Sequence, residues 1–136
     1  MTEFRRVTDR FSVAPQISVE DVARAKQAGF SAIINNRPDG EEPGQPTSDE
    51  IMAACTAQNL TYAYAPVMGP PTQAQAAVTR EALETGAAVL AFCRSGTRSI
   101  NTWALGEALE GASKDEIFRL GQAAGYDLRP TLSTIA

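Results

Sequence analysis

AAVLAFCRSGTRSINTWALGEALE, residues 87–110, is the stretch on which the reading of the fold turns. Its first six residues, AAVLAF (87–92), are apolar and too few for a helix, so they read as a buried strand. CRSGTRS (93–99) follows as a short polar loop around Gly96, and INTWALGEALE (100–110) has helical spacing. Strand, tight loop and helix in that order form half of a parallel crossover unit.

Working toward the N-terminus, FSAIIN (30–35) and TYAYA (61–65) read as further strands, and FRRV (4–7) and FSV (11–13) as short ones. A helix starts after Ser18, with Asp21 three residues on, and stops at Gly29; another is expected from about Asp49 to Asn59. Thr72 and Gln75 form a capping box for a helix that Gly86 ends. Ser113 with Glu116 opens a final helix reaching about Gly125, and the tail from Tyr126 has no assignment. The fold class is therefore α/β, a mainly parallel sheet flanked by helices, in one domain spanning 1–136. Three loops are expected at the carboxyl edge of the strands, where such sheets bind ligands: 36–47, 66–71 and 93–98.

Composition removes whole classes of chemistry. With no histidine there is no Ser-His or Cys-His pair and no imidazole metal ligand. Two cysteines alone make no zinc site, so neither metal nor cofactor is expected. Twelve Lys+Arg against sixteen Asp+Glu, a net charge of -4, argue against nucleic acid as a partner. No apolar run is long enough to span a membrane and the N-terminus has no secretory core, so a cytoplasmic protein with reduced thiols is expected.

The chemical signal is concentrated in 93–99. Loop amides and the first-turn amides of the helix form a cradle for an anion, helped by the helix dipole. Gly96 permits the tight turn, and Arg98 offers a planar fork to two oxygens. The positive field favours the Cys93 thiolate, making Cys93 and Arg98 the expected catalytic pair. Arg94, Ser95, Gly96, Thr97 and Ser99 are the expected anion-binding residues, with Ser99 donating to the Cys93 sulfur. Arg37, Asp39, Glu41 and Met68 are candidates for the pocket rim, although Arg37 could equally clamp its own neighbours. Asp39, Glu41, Glu42, Asp49 and Glu50 read as a solvated face. Cys55, on the apolar side of its helix, and Trp103 read as core.

CRSGTRS, together with INNRPDGEE (34–42), QPTSDEI (45–51) and APV (65–67), resembles the phosphatase-like domain family of beta-lactamase hydrolase-like proteins. The resemblance implies a dual-specificity-phosphatase-like fold and a cysteine-dependent reaction. Three departures bear on which reaction. The family of cysteine phosphatases carries His-Cys-x5-Arg, whereas this chain has Phe92-Cys93-x4-Arg98; the histidine is missing and the loop is one residue shorter. The loop 66–71, PVMGPP, lacks the acid that protonates the leaving group, and loop 36–47 could supply one only by folding over the site.

The Cys-x4-Arg spacing is similar to that of rhodaneses. It leads to the expectation of a sulfurtransferase: thiosulfate or glutathione persulfide as donor, a Cys93 persulfide, and a thiol or cyanide as acceptor. The resemblance also implies a persulfide-oxidising enzyme as a possible partner. A phosphatase working through a phosphocysteine is the alternative, and a non-catalytic module sensing anions or sulfide is the second.

Overall fold

The computed structural model describes residues 1–135. Its elements run β1 (Arg5–Arg6), β2 (Phe11–Ala14), α1 (Val19–Gln27), β3 (Ala32–Asn35), α2 (Ser48–Ala57), β4 (Thr61–Tyr64), α3 (Gln73–Glu84), β5 (Val89–Phe92), α4 (Thr97–Leu109), α5 (Lys114–Ala123) and α6 (Arg129–Leu132). The five strands form one sheet in the order β1-β2-β5-β3-β4. β5 pairs in parallel with both β2 and β3, β3 pairs in parallel with β4, and only β1 runs antiparallel, on β2.

Alternation along the strands divides the core in two. Val89 and Ala91 of β5 join Phe11, Val13, Ala32, Ile34, Ile100 and Trp103 on one face of the sheet. Leu90 and Phe92 join Ile17, Val22, Ile33, Ile51 and Cys55 on the other. Side chains at i and i+1 of a strand point to opposite faces, so a fully apolar run such as VLAF demands a helical layer on each side. Trp103 stacks on Phe11, ring centroids 5.5 Å apart and planes 10° from parallel, beneath the helix that carries the cysteine loop. Such a pair contributes about 0.5–1.5 kcal/mol beyond its buried area.

The helix starts are set by their caps. Ser18, Thr47 and Thr72 each accept from the backbone three residues on, and Asp21, Glu50 and Gln75 return the bond. Among the described residues no helix is long and apolar enough to cross a membrane. Two details depart from expectation. β1 is shorter than residues 4–7, and the tail contains α6, with Leu128 fully buried just before it.

The three expected loops meet at the carboxyl edge. The Asn36 amide donates to Phe92 O at 2.8 Å, and the Val67 amide to Asn36 O at 2.9 Å. The chain after β2 joins them, as Gln16 N donates to Arg94 O at 3.3 Å.

Candidate active site

Cys93 follows directly on β5, the central strand, and is fully buried at the base of the loop. The Gly96 amide points at its sulfur, N to Sγ 3.1 Å. Gly96 is the N-cap of α4 at φ 90, ψ -14, a left-handed conformation open to glycine at little cost. A Cβ there would also run into the Tyr126 hydroxyl. That hydroxyl donates to Ser95 O at 2.9 Å, so the tail left unassigned by sequence braces the loop from behind.

Ser95 Oγ donates to Thr97 Oγ1 at 3.0 Å across the turn, while Arg94 is exposed. The first-turn amides of α4 have no i−4 carbonyls inside the helix, and that of Thr97 makes only a long bond, 3.5 Å, to Ser95 Oγ. Ser99 departs from expectation. Its hydroxyl is buried and has no hydrogen-bond partner among the described residues, so it does not donate to the Cys93 sulfur. Its backbone lies in the regular helix of α4, and the sulfur's donor is instead the Gly96 amide.

Arg98 reaches across to the other two loops. Its two terminal nitrogens hold the Glu41 carboxylate in a fork, both bonds 2.8 Å, and one of them also donates to Val67 O at 3.1 Å. Glu41 in turn accepts from Arg37 Nε at 2.9 Å, so one carboxylate joins two arginines. The hydrogen bonds from Arg98, and then those from Arg37, overcome partial burial and hold the Glu41 carboxyl down at about 2. Arg98 is pushed above the ordinary arginine value, first by its bond to Glu41 and further by the neighbouring Cys93 sulfur.

Arg37 is not on the pocket rim. It is completely buried, and its guanidinium donates to Glu41, to Gln16 Oε1 at 3.0 Å and to Glu42 Oε1 at 3.1 Å. This is the clamp reading, with the difference that the clamp extends through Glu41 to Arg98. Asp39 also stands apart from the site. Its carboxylate accepts from the Ser48 amide at 2.8 Å and its own amide donates to Tyr64 OH, tying the loop to α2 and β4. Met68 is 78% exposed and lies outside the cleft beside Arg98.

Cys55 is buried on the opposite face of the sheet, where burial pushes its thiol up to about 11; it is core, as expected. Of the rim candidates in loop 36–47, Glu41 is the one that reaches the site, on Arg98; Tyr126 is a functional residue with no local signal in the sequence.

A cleft of about 360 Å³ opens beside the loop and shares Thr97 and Arg98 with it. Pro70, Pro71, Leu105 and Pro130 line it, together with polar groups that include Asn101 and Asp127.

A cysteine at the end of the central parallel strand, an amide-rich turn and an arginine at the following helix start define the class of cysteine-phosphatase-like α/β domains. A family model for the beta-lactamase hydrolase-like protein, phosphatase-like domain, matches residues 3–110, and the chain belongs to that family. A beta-lactamase hydrolase-like protein from Agrobacterium fabrum is 38% identical over 126 residues; these cover 90% of this chain and 29% of the relative. The chain thus spans less than a third of that relative's length. The crystal structure of a candidate phosphatase from Neisseria meningitidis Z2491 is 32% identical with a TM-score of 0.81, covering 96% of this chain and 94% of that one. Human DUSP28 shares the fold at 16% identity and a TM-score of 0.65, covering 96% and 88%.

These findings overturn the sulfurtransferase expectation, and with it the rhodanese-like enzyme class. The family model and the 32%-identical structure are phosphatase-like. The physical reason lies in how Arg98 is placed. Loop length alone does not set where the guanidinium lies, because Glu41 and Val67 steer it from two other loops. A spacing shorter by one residue therefore does not settle what the arginine can hold.

Proposed function

We propose that this domain is a cysteine-dependent phosphatase acting on phosphate monoesters through a phosphocysteine at Cys93. The observation that carries the reading is the buried Cys93 sulfur, 3.1 Å from an inward-pointing amide and on the same loop as the Arg98 fork. A phosphate dianion fits the open amides at the start of α4, and Arg98 presents two parallel donors to its oxygens in place of the Glu41 carboxylate. The Cys93 thiolate attacks phosphorus, and the amides already in place stabilise the charge that builds on the equatorial oxygens. Water then cleaves the S–P bond and restores the thiolate. A cytosolic location suits this chemistry, because both cysteines are free thiols and Cys93 must stay reduced.

The test is release of phosphate from para-nitrophenyl phosphate by the wild type, Cys93→Ser and Arg98→Lys. The reading expects none above background from Cys93→Ser. It expects a loss of roughly 10²–10³-fold from Arg98→Lys, which keeps the charge but not the fork. Equal turnover by Cys93→Ser contradicts it.

A further inference from the structure

Departure of an alkoxide requires a proton, and each group near the loop that could donate one is already committed. Loop 66–71 has no ionisable side chain. Glu41, when phosphate takes its place on Arg98, keeps its bond from Arg37 Nε, and Asp127, in the cleft, accepts from Arg129 Nε and a terminal nitrogen, both 2.9 Å. That pairing holds the Asp127 carboxyl below the usual carboxylate range. Glu42 is bound to Arg37, and Asp39 is tied to the Ser48 amide. Tyr126 already donates its proton to Ser95 O. Beside this ring of occupied groups lies the cleft, continuous with the loop through Thr97 and Arg98 and walled by Pro70, Pro71, Leu105 and Pro130.

We infer that the substrate is the phosphate ester of an acidic phenol, its ring seated in the cleft beside Arg98 and its oxygen leaving without protonation by the protein. The inference rests on the phosphatase reading above and deepens it. In the first step the Cys93 thiolate forms an S–P bond while the P–O bond to the ring breaks. The phenol oxygen keeps the electron pair and leaves as phenolate, taking its proton from bulk water. In the second step water adds to phosphorus and the S–P bond breaks. The electron pair returns to sulfur, and both of the water's protons leave on the released phosphate, as dihydrogen phosphate. No acid is consumed in either step. Pro70, Pro71, Leu105 and Pro130 give the cleft an apolar lining suited to an aromatic ring, and among the described residues no unpaired cation lines it to favour a second phosphate.

The experiment measures kcat/KM, which reports the first irreversible step, for a series of substituted phenyl phosphates and for glycerol phosphate, with Cys93→Ser as control. The expected result is a fall of roughly tenfold for each unit by which the phenol becomes less acidic, and no detectable turnover of glycerol phosphate. A flat dependence, with glycerol phosphate hydrolysed at a comparable rate, reveals a proton donor and overturns the inference while the phosphatase reading stands. No phosphate from any ester overturns both.

Pro130→Trp, at an exposed position on the wall of the cleft, tests the seat of the ring. It is expected to raise KM for the phenyl phosphates by about threefold or more while inhibition by inorganic phosphate changes less than about twofold. An unchanged KM removes the cleft from the account.

Discussion

Replacing Arg37 by Met keeps an unbranched stem in a site with no solvent exposure and deletes three hydrogen bonds, to Gln16, Glu41 and Glu42. Two of these go to carboxylates, but the side chains of Glu41 and Glu42 remain 30% and 48% exposed. The stranded charges can therefore turn to water, and Glu41 keeps Arg98. The loss is smaller than the 3–5 kcal/mol of a fully buried broken pair and is about 2–3 kcal/mol. For a chain of this size that lowers Tm by roughly 6–12 °C, read by thermal unfolding at neutral pH. Activity is expected to fall as well, by about tenfold in kcat/KM on para-nitrophenyl phosphate, since a loosened Glu41 leaves Arg98 free to wander. Arg37→Lys is expected to restore little, because an ammonium cannot serve three directions with a planar fork. A Tm within about 2 °C of the wild type and unchanged kinetics would refute the argument that this buried arginine organises the site.

The Glu41 carboxyl, held at about 2 against an ordinary 4.5, stabilises the fold when ionised. That contribution is complete above the ordinary value and is lost as pH falls through about 2. In urea unfolding at a series of pH values, the stability gap between the wild type and Glu41→Gln is therefore expected to be widest above about pH 5 and to close toward pH 2. Gly96→Ala meets both a left-handed backbone and the Tyr126 hydroxyl, so it is expected to cost at least about 2 kcal/mol and to lower kcat more than a hundredfold, roughly. Cys55→Ala is expected to leave kcat unchanged within about twofold, and alkylation at pH 8 by iodoacetamide, mapped by peptide mass, is expected to spare Cys55 in the folded protein.

Local signals in the sequence carried most of the fold. The strand AAVLAF, the caps Ser18 and Thr72 and the stops at Gly29 and Gly86 each act within a few residues, and the structure has the elements they announce. Thr47 with Glu50 carried the same signal and starts α2. The Cys93 loop was legible for the same reason, since cysteine, glycine and arginine lie within six residues of chain.

What could not be read was the contact between elements far apart in sequence. Glu41 and Arg98 are 57 residues apart, and nothing in the composition of NRPDGEEPGQPT says which of its charges turns inward. For Arg37 the sequence left a rim and a clamp reading open, and its burial against the acids a few residues on and Gln16, 21 residues away, decides for the clamp. Tyr126 sits in a segment without periodicity, and only the packing of Leu128 against α5 brings it to Ser95. The mistaken sulfur chemistry arose in the same way, from a local count of residues applied to an arginine that distant loops position.

The account's central claim is a covalent bond between Cys93 and phosphorus, and the most direct test is to trap it. Wild-type protein turning over para-nitrophenyl phosphate would be quenched in acid, and the intact mass and the Cys93 peptide read by mass spectrometry beside Cys93→Ser. The account predicts a gain of one phosphoryl group, located on Cys93 and missing from the variant. Phosphate released at the wild-type rate by Cys93→Ser, or a phosphoryl group found on any other residue, would contradict it.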